Sequence, residues 1–171
     1  EVLSCQKVAY TPHAIAGLKN GRYELSGGNW QLQRASEVKA RGEKIASQDF
    51  DSRAWIAATV PGTVLTSYVN IGAVPNPNYA DDVDQISESF FRSNFWYRDE
   101  FEVGDNLGGD QQWLNFDGIN WKANVYLNGQ YLGRIEGAFM RGKFNVTGLL
   151  NKGKNYLAVE VISNAPVAAV K

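Results

Sequence analysis

The sequence predicts an all-β sandwich with one short helix, and three patterns carry that prediction. The second half of the chain alternates apolar and polar residues with the period of a half-buried strand, as at Leu157, Val159 and Val161. Turn residues separate these runs at short, even intervals, which is typical of a sandwich. Asn128-Gly129 lies between two apolar runs, and this dipeptide favours a tight hairpin turn because it tolerates positive φ at both positions.

The elements follow in chain order from the same reasoning. Residues 1–25 show no clear period, and we expect an N-terminal extension or arm there, followed by one domain over residues 26–171. Strands are predicted at 30–34, 55–60, 95–103, 113–117, 123–127 and 157–161. Residues 36–53 are charged and polar, and we interpret them as a loop or a short exposed strand pair. The residues predicted to form the core are Phe116, Val125, Leu127, Leu157 and Val159.

The one predicted helix follows Pro61-Gly62. Thr63 can cap it, since its hydroxyl can accept hydrogen bonds from the amides of the first turn. Gly72 is expected to end the helix, because glycine favours the left-handed conformation that follows a helix C-terminus. The apolar residues that share one helical face are Val64, Leu65, Tyr68 and Val69.

Length, charge and cysteine content limit the classes of function. A chain of 171 residues suits one domain with a sizeable core. The net charge of −1 shows none of the excess positive charge that is typical of nucleic-acid-binding domains. The apolar runs are far shorter than the roughly 20 residues that span a bilayer. Cys5 is the single cysteine, so the chain cannot form an internal disulfide.

Short motifs occur in a fixed order between Trp113 and Val161. They are WLNFDGI at 113–119, ANVYLNG at 123–129, LG at 132–133, FNVTGLL at 144–150 and GKNYLAVEV at 153–161. In this order and spacing they resemble the N-terminal sugar-binding domain of glycoside hydrolase family 2, and the resemblance extends upstream to Trp30. It implies a jelly-roll β-sandwich of the galactose-binding-domain-like type.

The segment VPGTVLTSYVNIGAVPNPNY at 60–79 is similar to β-mannosidase-like and exo-β-glucosaminidase-like members of that family. The resemblance implies a non-catalytic N-terminal domain of an enzyme that hydrolyses terminal β-glycosidic bonds. Such a domain would buttress the catalytic barrel and shape its active-site rim. Its partners would be carbohydrate and the remaining domains of the parent glycosidase. The same resemblance implies a periplasmic or extracellular location in a bacterium.

We expect no catalytic residue, metal or cofactor in this chain. A retaining glycosidase needs two carboxyl groups about 5 Å apart, and the resembling enzymes take their acid from an Asn-Glu dipeptide in a separate barrel. The chain has no such dipeptide. We interpret Asp99, Glu100 and Glu102 as residues on a solvated strand face, or as charges that protect a sheet edge from pairing with another strand. His13 is the single histidine, and no cluster of ligands has zinc or calcium spacing.

The loop at 75–82 is the best candidate for function. In the resembling enzymes a loop of the form Asp/Asn-Pro-x-Tyr-Gly-x-Asn lies near the rim of the active site. The rim residues that the resemblance assigns here are Asn76, Asn78, Tyr79 and Asp82. Ala80 and Asp82 depart from the pattern, and an aspartate only accepts where the family's asparagine both donates and accepts. The alternative, that the loop only packs on a neighbouring domain, stays open.

Two further possibilities concern aromatic residues. Asn120 and Trp121 could bind sugar if they are exposed, whereas a packed Trp121 would cover the end of a sheet. The chain has 5 Trp, 8 Tyr and 8 Phe, which suits a β core and also suits stacking on sugar rings. The alternative function is therefore an autonomous carbohydrate-binding module.

Overall fold

Strands dominate the part of the chain that the computed structural model describes, which comprises residues 13–17, 21–27, 29–78, 86, 88–104, 110–137 and 140–163. The strands in these ranges are β1 (His13–Ala14), β2 (Ala16–Gly17), β3 (Tyr23–Glu24), β4 (Gln31–Arg34), β5 (Ile56–Ala57), β6 (Phe95–Val103), β7 (Trp113–Phe116), β8 (Lys122–Leu127), β9 (Gln130–Glu136), β10 (Gly142–Asn145) and β11 (Gly153–Ile162). The α-helices are α1 (Gly42–Ile45), α2 (Val64–Asn70) and α3 (Glu88–Phe91). The prediction of a mostly β fold is confirmed, but the described ranges contain three short α-helices where the sequence predicts one.

One large sheet organises the domain. It has seven strands in the order β5-β4-β6-β11-β8-β9, with β1 added beside β6. The central strands β6 and β11 pair antiparallel along their whole length, and β11 pairs on its other side with β8. A hairpin connects β8 to β9. β7 and β10 form a separate antiparallel pair, as do β2 and β3.

The main hydrophobic core lies between the large sheet and the β7–β10 pair. Leu114, Phe116 and Phe144 of the smaller sheet pack against buried residues of β4, β6, β8 and β11. The predicted core residues Val125, Leu127, Leu157 and Val159 are all buried. Phe116, the fifth, is half-buried because it lies on the short outer sheet. The two-layer sandwich that the alternation predicts is confirmed.

The second face of the large sheet is also covered, which corrects the interpretation of residues 36–53 as an exposed segment. A 3₁₀ turn at Ala35–Glu37 and helix α1 lie over this face, and Ile45 and Ala46 are completely buried there. They form a second apolar cluster with Trp96 and Ala158. Helix α1 has only four residues, so it is too short to show a helical period in the sequence.

A buried guanidinium fastens this covering segment to the sheet. Arg98, on β6, is 1% exposed. Its Nε donates to the carbonyl of Ile45 at 2.9 Å, and its two terminal nitrogens donate to Ser52 Oγ and to the carbonyl of Ser47 at 3.1 and 3.3 Å. The carboxylate of Glu100 lies 3.6 Å away. The charge of Arg98 is therefore buried with hydrogen-bond partners and a counter-ion, as burial of a charge requires.

The N-terminal segment contributes short strands to the fold. β1 pairs in parallel with β6 at Phe101 and Glu102, and β2 pairs antiparallel with β3. Cys5 lies outside the described residues. The division into residues 1–25 and 26–171 stays a prediction.

Helix α2 forms as the sequence predicts. Thr63 Oγ1 accepts a hydrogen bond from the backbone N–H of Thr66 at 3.0 Å. The helix ends at Asn70, and Gly72 follows with a φ of 74°. The capping hydroxyl and the left-handed glycine set the two ends of the helix.

The Asn128-Gly129 turn has the predicted geometry, with φ values of 48° and 81°. It is also tied to the loop before β11. The Nδ2 of Asn128 donates to the carbonyl of Leu149 and to Oδ1 of the buried Asn155, at 2.7 and 2.8 Å. Its Oδ1 accepts from the N–H of Tyr156 at 2.9 Å. One asparagine therefore closes a hairpin and joins it to a second loop.

Gly129→Val should lower the free energy of unfolding by about 1 kcal/mol or more, because a β-branched residue resists positive φ. A Cβ at this position meets only the carbonyl of Glu43, at 3.8 Å, so the cost comes from the backbone and not from a clash. Urea unfolding measures it. Gly118→Val is the matched control, since Gly118 has open space and no positive φ. Equal losses in the two variants would contradict the argument.

Asp99 corrects the expectation that the carboxylates of β6 are solvated. It lies between Tyr97 and Phe101 on the core-facing side of the strand and is completely buried. Glu100 is half-buried, and Glu102 is exposed. Burial raises the pKa of Asp99 to about 7. The sandwich therefore encloses a carboxyl group that titrates close to neutral pH.

The stability of the domain should fall as the pH rises from about 4 to about 7, most steeply above about pH 5, because Asp99 holds its proton in the folded protein after the unfolded chain has lost it. The slope should approach about 1.4 kcal/mol per pH unit between the two pKa values. Asp99→Asn cannot titrate and should flatten the curve of unfolding free energy against pH, as measured by urea titration.

Asp51→Asn is the control for that experiment. The hydrogen bond from Arg53 lowers the pKa of Asp51, so this carboxylate is charged in both states over the range tested. The pH dependence of Asp51→Asn should follow that of the unmodified protein. If the curve of Asp99→Asn also runs parallel to it, another group controls the titration.

Candidate functional site

The two helices that flank the predicted rim loop in sequence meet in an aromatic cluster. Tyr68 of α2 packs edge-on against Phe90 and Phe91 of α3 and against Phe95 of β6, with ring centroids 5.1, 5.7 and 6.4 Å apart. The loop follows α2 and precedes α3 in the chain, so the cluster joins the elements on either side of it. Aromatic pairs of this kind contribute about 0.5–1.5 kcal/mol beyond their buried area. The base of the loop is thus anchored on the sandwich.

Two of the four predicted rim residues lie in the described part of this loop. Asn76 and Asn78 are both exposed. The backbone N–H of Asn78 donates to Oδ1 of Asn76 at 3.0 Å, which forms an Asx turn. The turn directs both side chains to the surface. Tyr79 and Asp82 lie outside the described residues, and the rim role of all four stays a prediction.

A cavity of about 270 Å³ opens beside the aromatic cluster. The residues that line it are Val64, Phe91, Arg92, Ser93, Phe95, Asn120, Val161, Ile162 and Ser163. Phe91 and Phe95 belong to both the cluster and the cavity, so the base of the loop forms one wall. Apolar walls with a few convergent polar groups are the usual composition of a small-molecule site.

Hydrogen bonds fix the polar side of this cavity. Nε of Arg34 donates to Ser93 Oγ at 3.0 Å, while the guanidinium lies 5.1 Å from the ring centroid of Phe90. Oδ1 of Asn94 accepts from the backbone N–H of Ser163 at 3.0 Å. The ends of β4, β6 and β11 are therefore held together around the cavity.

The structure separates the two residues of the second sequence candidate. Asn120 lines the cavity. Trp121 does not line it and is 39% exposed, so its two interpretations, sugar binding and covering the end of a sheet, both stay open. Sequence reasoning missed Arg92, Ser93 and Ser163, because they lie in irregular segments beside strand ends where no motif marks them.

The described residues of this site can bind by hydrogen bonds and apolar contact. A pKa near neutrality often marks an acid–base catalyst, but Asp99 is completely buried and cannot touch a ligand. Within the described ranges, no group of three or more His, Cys, Asp and Glu side chains is arranged to hold a metal. The helices in the same ranges lack the length and apolarity that crossing a membrane requires.

The fold and site together define a β-sandwich domain that presents a loop beside a small cavity with polar groups on its wall. Comparison with known families makes the assignment more specific. The family model described as "Glycosyl hydrolase 2 galactose-binding domain-like" matches residues 30–170. The chain belongs to this family.

Curated relatives are much longer than this chain. A mannosylglycoprotein endo-β-mannosidase of Lilium longiflorum is 34% identical over 82% of the chain and 15% of its own length. An exo-β-D-glucosaminidase of Streptomyces avermitilis is 26% identical over 91% of the chain and 17% of its own length. The chain therefore spans only a small part of each relative.

Solved structures share the fold. The exo-chitosanase of Amycolatopsis orientalis superposes with a TM-score of 0.71 over 80% of this chain and 16% of its own, at 23% identity. A β-D-mannosidase from Dictyoglomus thermophilum gives a TM-score of 0.63 over 79% of this chain and 15% of its own, at 27% identity. The galactose-binding-like sandwich that the resemblance implies is confirmed.

Proposed function

We propose that this chain acts as the non-catalytic N-terminal domain of a β-glycosidase, where it buttresses a catalytic barrel and shapes the rim of the active site. The observation that carries the proposal is the match of nearly the whole chain to a small part of two glycosidases, 15% and 17% of their lengths. The remaining parts of such a protein would supply the two carboxyl groups of the reaction.

The reaction we propose for the parent protein is hydrolysis of a terminal β-glycosidic bond with retention, on a β-mannoside or a β-glucosaminide. The names of two relatives, an endo-β-mannosidase and an exo-β-D-glucosaminidase, support these two sugars, and the name of the second also supports action at a terminal bond. Carbohydrate and the parent's other domains are accordingly the proposed partners. A periplasmic or extracellular location belongs to the same proposal, rests on the family resemblance, and is tested by fractionation of the source cells.

The described geometry supports a rim role for the loop. Its base is anchored by Tyr68 and the phenylalanines of α3, whereas Asn76 and Asn78 project into solvent. An anchored base with exposed amides suits contact with a group outside the domain, because amides both donate and accept. The neighbouring barrel or its substrate would be that group.

An autonomous carbohydrate-binding module is the alternative, and the exposed rings of Trp113 and Trp121 favour it. Such a module would bind neutral manno- or glucosamine oligosaccharides without any barrel. Calorimetric titration of the 171-residue chain with these sugars distinguishes the two functions, since millimolar or tighter binding would support the module.

The chain by itself should show no turnover of aryl β-mannoside, β-glucosaminide or β-galactoside, because the proposed acid and nucleophile belong to the barrel. The parent protein should hydrolyse at least one of them. Release of the aryl group measures both. Activity that follows the 171-residue chain through repeated purification would overturn the non-catalytic assignment.

Tyr79→Ala in the parent protein should lower kcat/KM for its true sugar by about three- to tenfold, the size expected for loss of one contact at the rim. The melting temperature of the protein should stay nearly unchanged. Tyr131→Ala is the control, since Tyr131 is a 51% exposed tyrosine on β9, outside the loop. If Tyr79→Ala instead melts the domain and spares catalysis, the loop belongs to the domain's own core.

A further inference from the structure

A second concave surface lies on the outer side of the β7–β10 sheet, and we call it the basic pocket. Its volume is about 340 Å³, within the range of roughly 300–1,000 Å³ that is usual for small-molecule sites. The polar residues that line it are Arg22, Asn115, Asp117, Arg141 and Lys143, and Trp113, Phe116 and Gly142 complete its lining. It shares no lining residue with the cavity beside the rim loop.

Strand alternation brings these side chains together. Leu114 and Phe116 point into the core, so Trp113 and Asn115 point outward. Lys143 is paired with Asn115 across the two strands, and it therefore lies on the same outer face. Trp113, Asn115 and Lys143 thus stand on paired strands, which hold side chains more firmly than loops do, whereas Arg22, Asp117 and Arg141 lie just outside the strands.

Positive charge is concentrated in the basic pocket. Arg22, Arg141 and Lys143 line it together with a single carboxylate, that of Asp117. The chain as a whole carries a net charge of −1, so this excess of cations is a local feature. Such a surface is complementary to a small anion.

The indole of Trp113 is the exposed aromatic ring of the basic pocket. Trp113 is 43% exposed. The ammonium of Lys143 lies over its ring, 4.4 Å from the centroid, which is a cation–π distance. An amphipathic ligand would therefore pack on the part of the indole that the ammonium leaves open, with the positive charge a few ångströms away.

We propose that the basic pocket binds an acidic saccharide, with the carboxylate of a uronic acid unit paired to Lys143 and Arg141 and the C–H face of its pyranose ring packed on Trp113. A uronate combines the two features that the pocket complements, an anion and an apolar ring face. An acidic peptide or free phosphate provides the charge without the ring. A neutral sugar provides the ring without the charge.

This inference goes beyond the proposed rim function, because it concerns binding at another face and involves no turnover. Arg22 also lies outside residues 30–170, which match the family model. The basic pocket therefore depends on a residue that the family-matched region does not contain. If the glycosidase assignment failed, the binding experiment would still test the basic pocket. If the basic pocket did not bind a uronate, the glycosidase assignment would still stand.

The test is calorimetric titration with trigalacturonate, its methyl ester and a short oligoglutamate, on the 171-residue chain and on the parent protein. Trigalacturonate should bind both proteins, and the methyl ester should bind at least about fivefold more weakly because it lacks the charge. Oligoglutamate should bind at least about tenfold more weakly because it lacks the ring. Added salt should weaken the binding of trigalacturonate.

Variants locate the binding site. Trp113→Ala should reduce the affinity by about tenfold or more, and Lys143→Gln and Arg141→Gln by about two- to fivefold each, which is the range of exposed ion pairs. Tyr131→Ala and Lys39→Gln remove an exposed aromatic ring and an exposed positive charge outside the basic pocket, and they should leave the affinity unchanged. Melting curves confirm that each variant is folded. Because the two charge variants alter only exposed side chains, they remain informative if Trp113→Ala does not fold.

Several results would overturn the proposal. Absence of trigalacturonate binding, or equal affinity for the ester or the oligoglutamate, would show that the basic pocket does not recognise a uronate. Binding that survives both Trp113→Ala and Lys143→Gln would place the sugar elsewhere. Binding to the isolated chain but not to the parent would mean that another domain covers this face.

Discussion

The buried guanidinium of Arg98 is the interaction on which the layered structure depends. It lies on the central strand β6 and donates to the carbonyls of Ile45 and Ser47 and to the hydroxyl of Ser52. Those acceptors belong to the connection between β4 and β5, so the contact fixes this connection against the sheet. Loss of the guanidinium would leave buried acceptors without donors, at about 1–3 kcal/mol for each. Strands β4 and β5, at one edge of the large sheet, therefore depend on the buried charge of Arg98 near the centre of that sheet.

This arrangement determines where the domain can interact. One face of the large sheet is occupied by the β7–β10 pair, and the other by the segment that Arg98 holds. Two surfaces lie beside these covered parts of the sheet: the end of the sandwich, where the cavity beside the rim loop lies, and the outer side of the β7–β10 pair. Both candidate sites are found on these surfaces, and each combines fixed strands with exposed polar side chains.

Local features were predictable from the sequence, and long-range ones were not. The Asn128-Gly129 turn and the Thr63 cap depend on neighbouring residues, and both form as predicted. The burial of Asp99 was missed, because alternation alone makes a carboxylate on a strand look solvated. The covering role of residues 36–53 was missed because few apolar residues carry it among many charged ones. Burial of this kind is decided by distant partners.

The candidate sites also differ in how far the sequence predicts them. The family resemblance pointed to the loop at 75–82, since its residues are contiguous and share a motif. The cavity beside it and the basic pocket draw on separated segments, and no spacing in the sequence links them. For example, Arg22 and Arg141 line the same pocket only because the fold places both beside the β7–β10 pair. Sequence reasoning could therefore locate the loop but could not assemble the surfaces around it.

The small strand β1 has a consequence for the chain in solution. One edge of β6 is paired along its whole length with β11, whereas the other is shared between β4 and, at Phe101 and Glu102, β1. The family-matched region begins at residue 30, so β1 lies outside it. A protein cut back to that region would expose unpaired N–H and C=O groups on its central strand. Bare edges of this kind recruit strands from other molecules. We therefore expect β1 to limit pairing of this strand edge with other molecules.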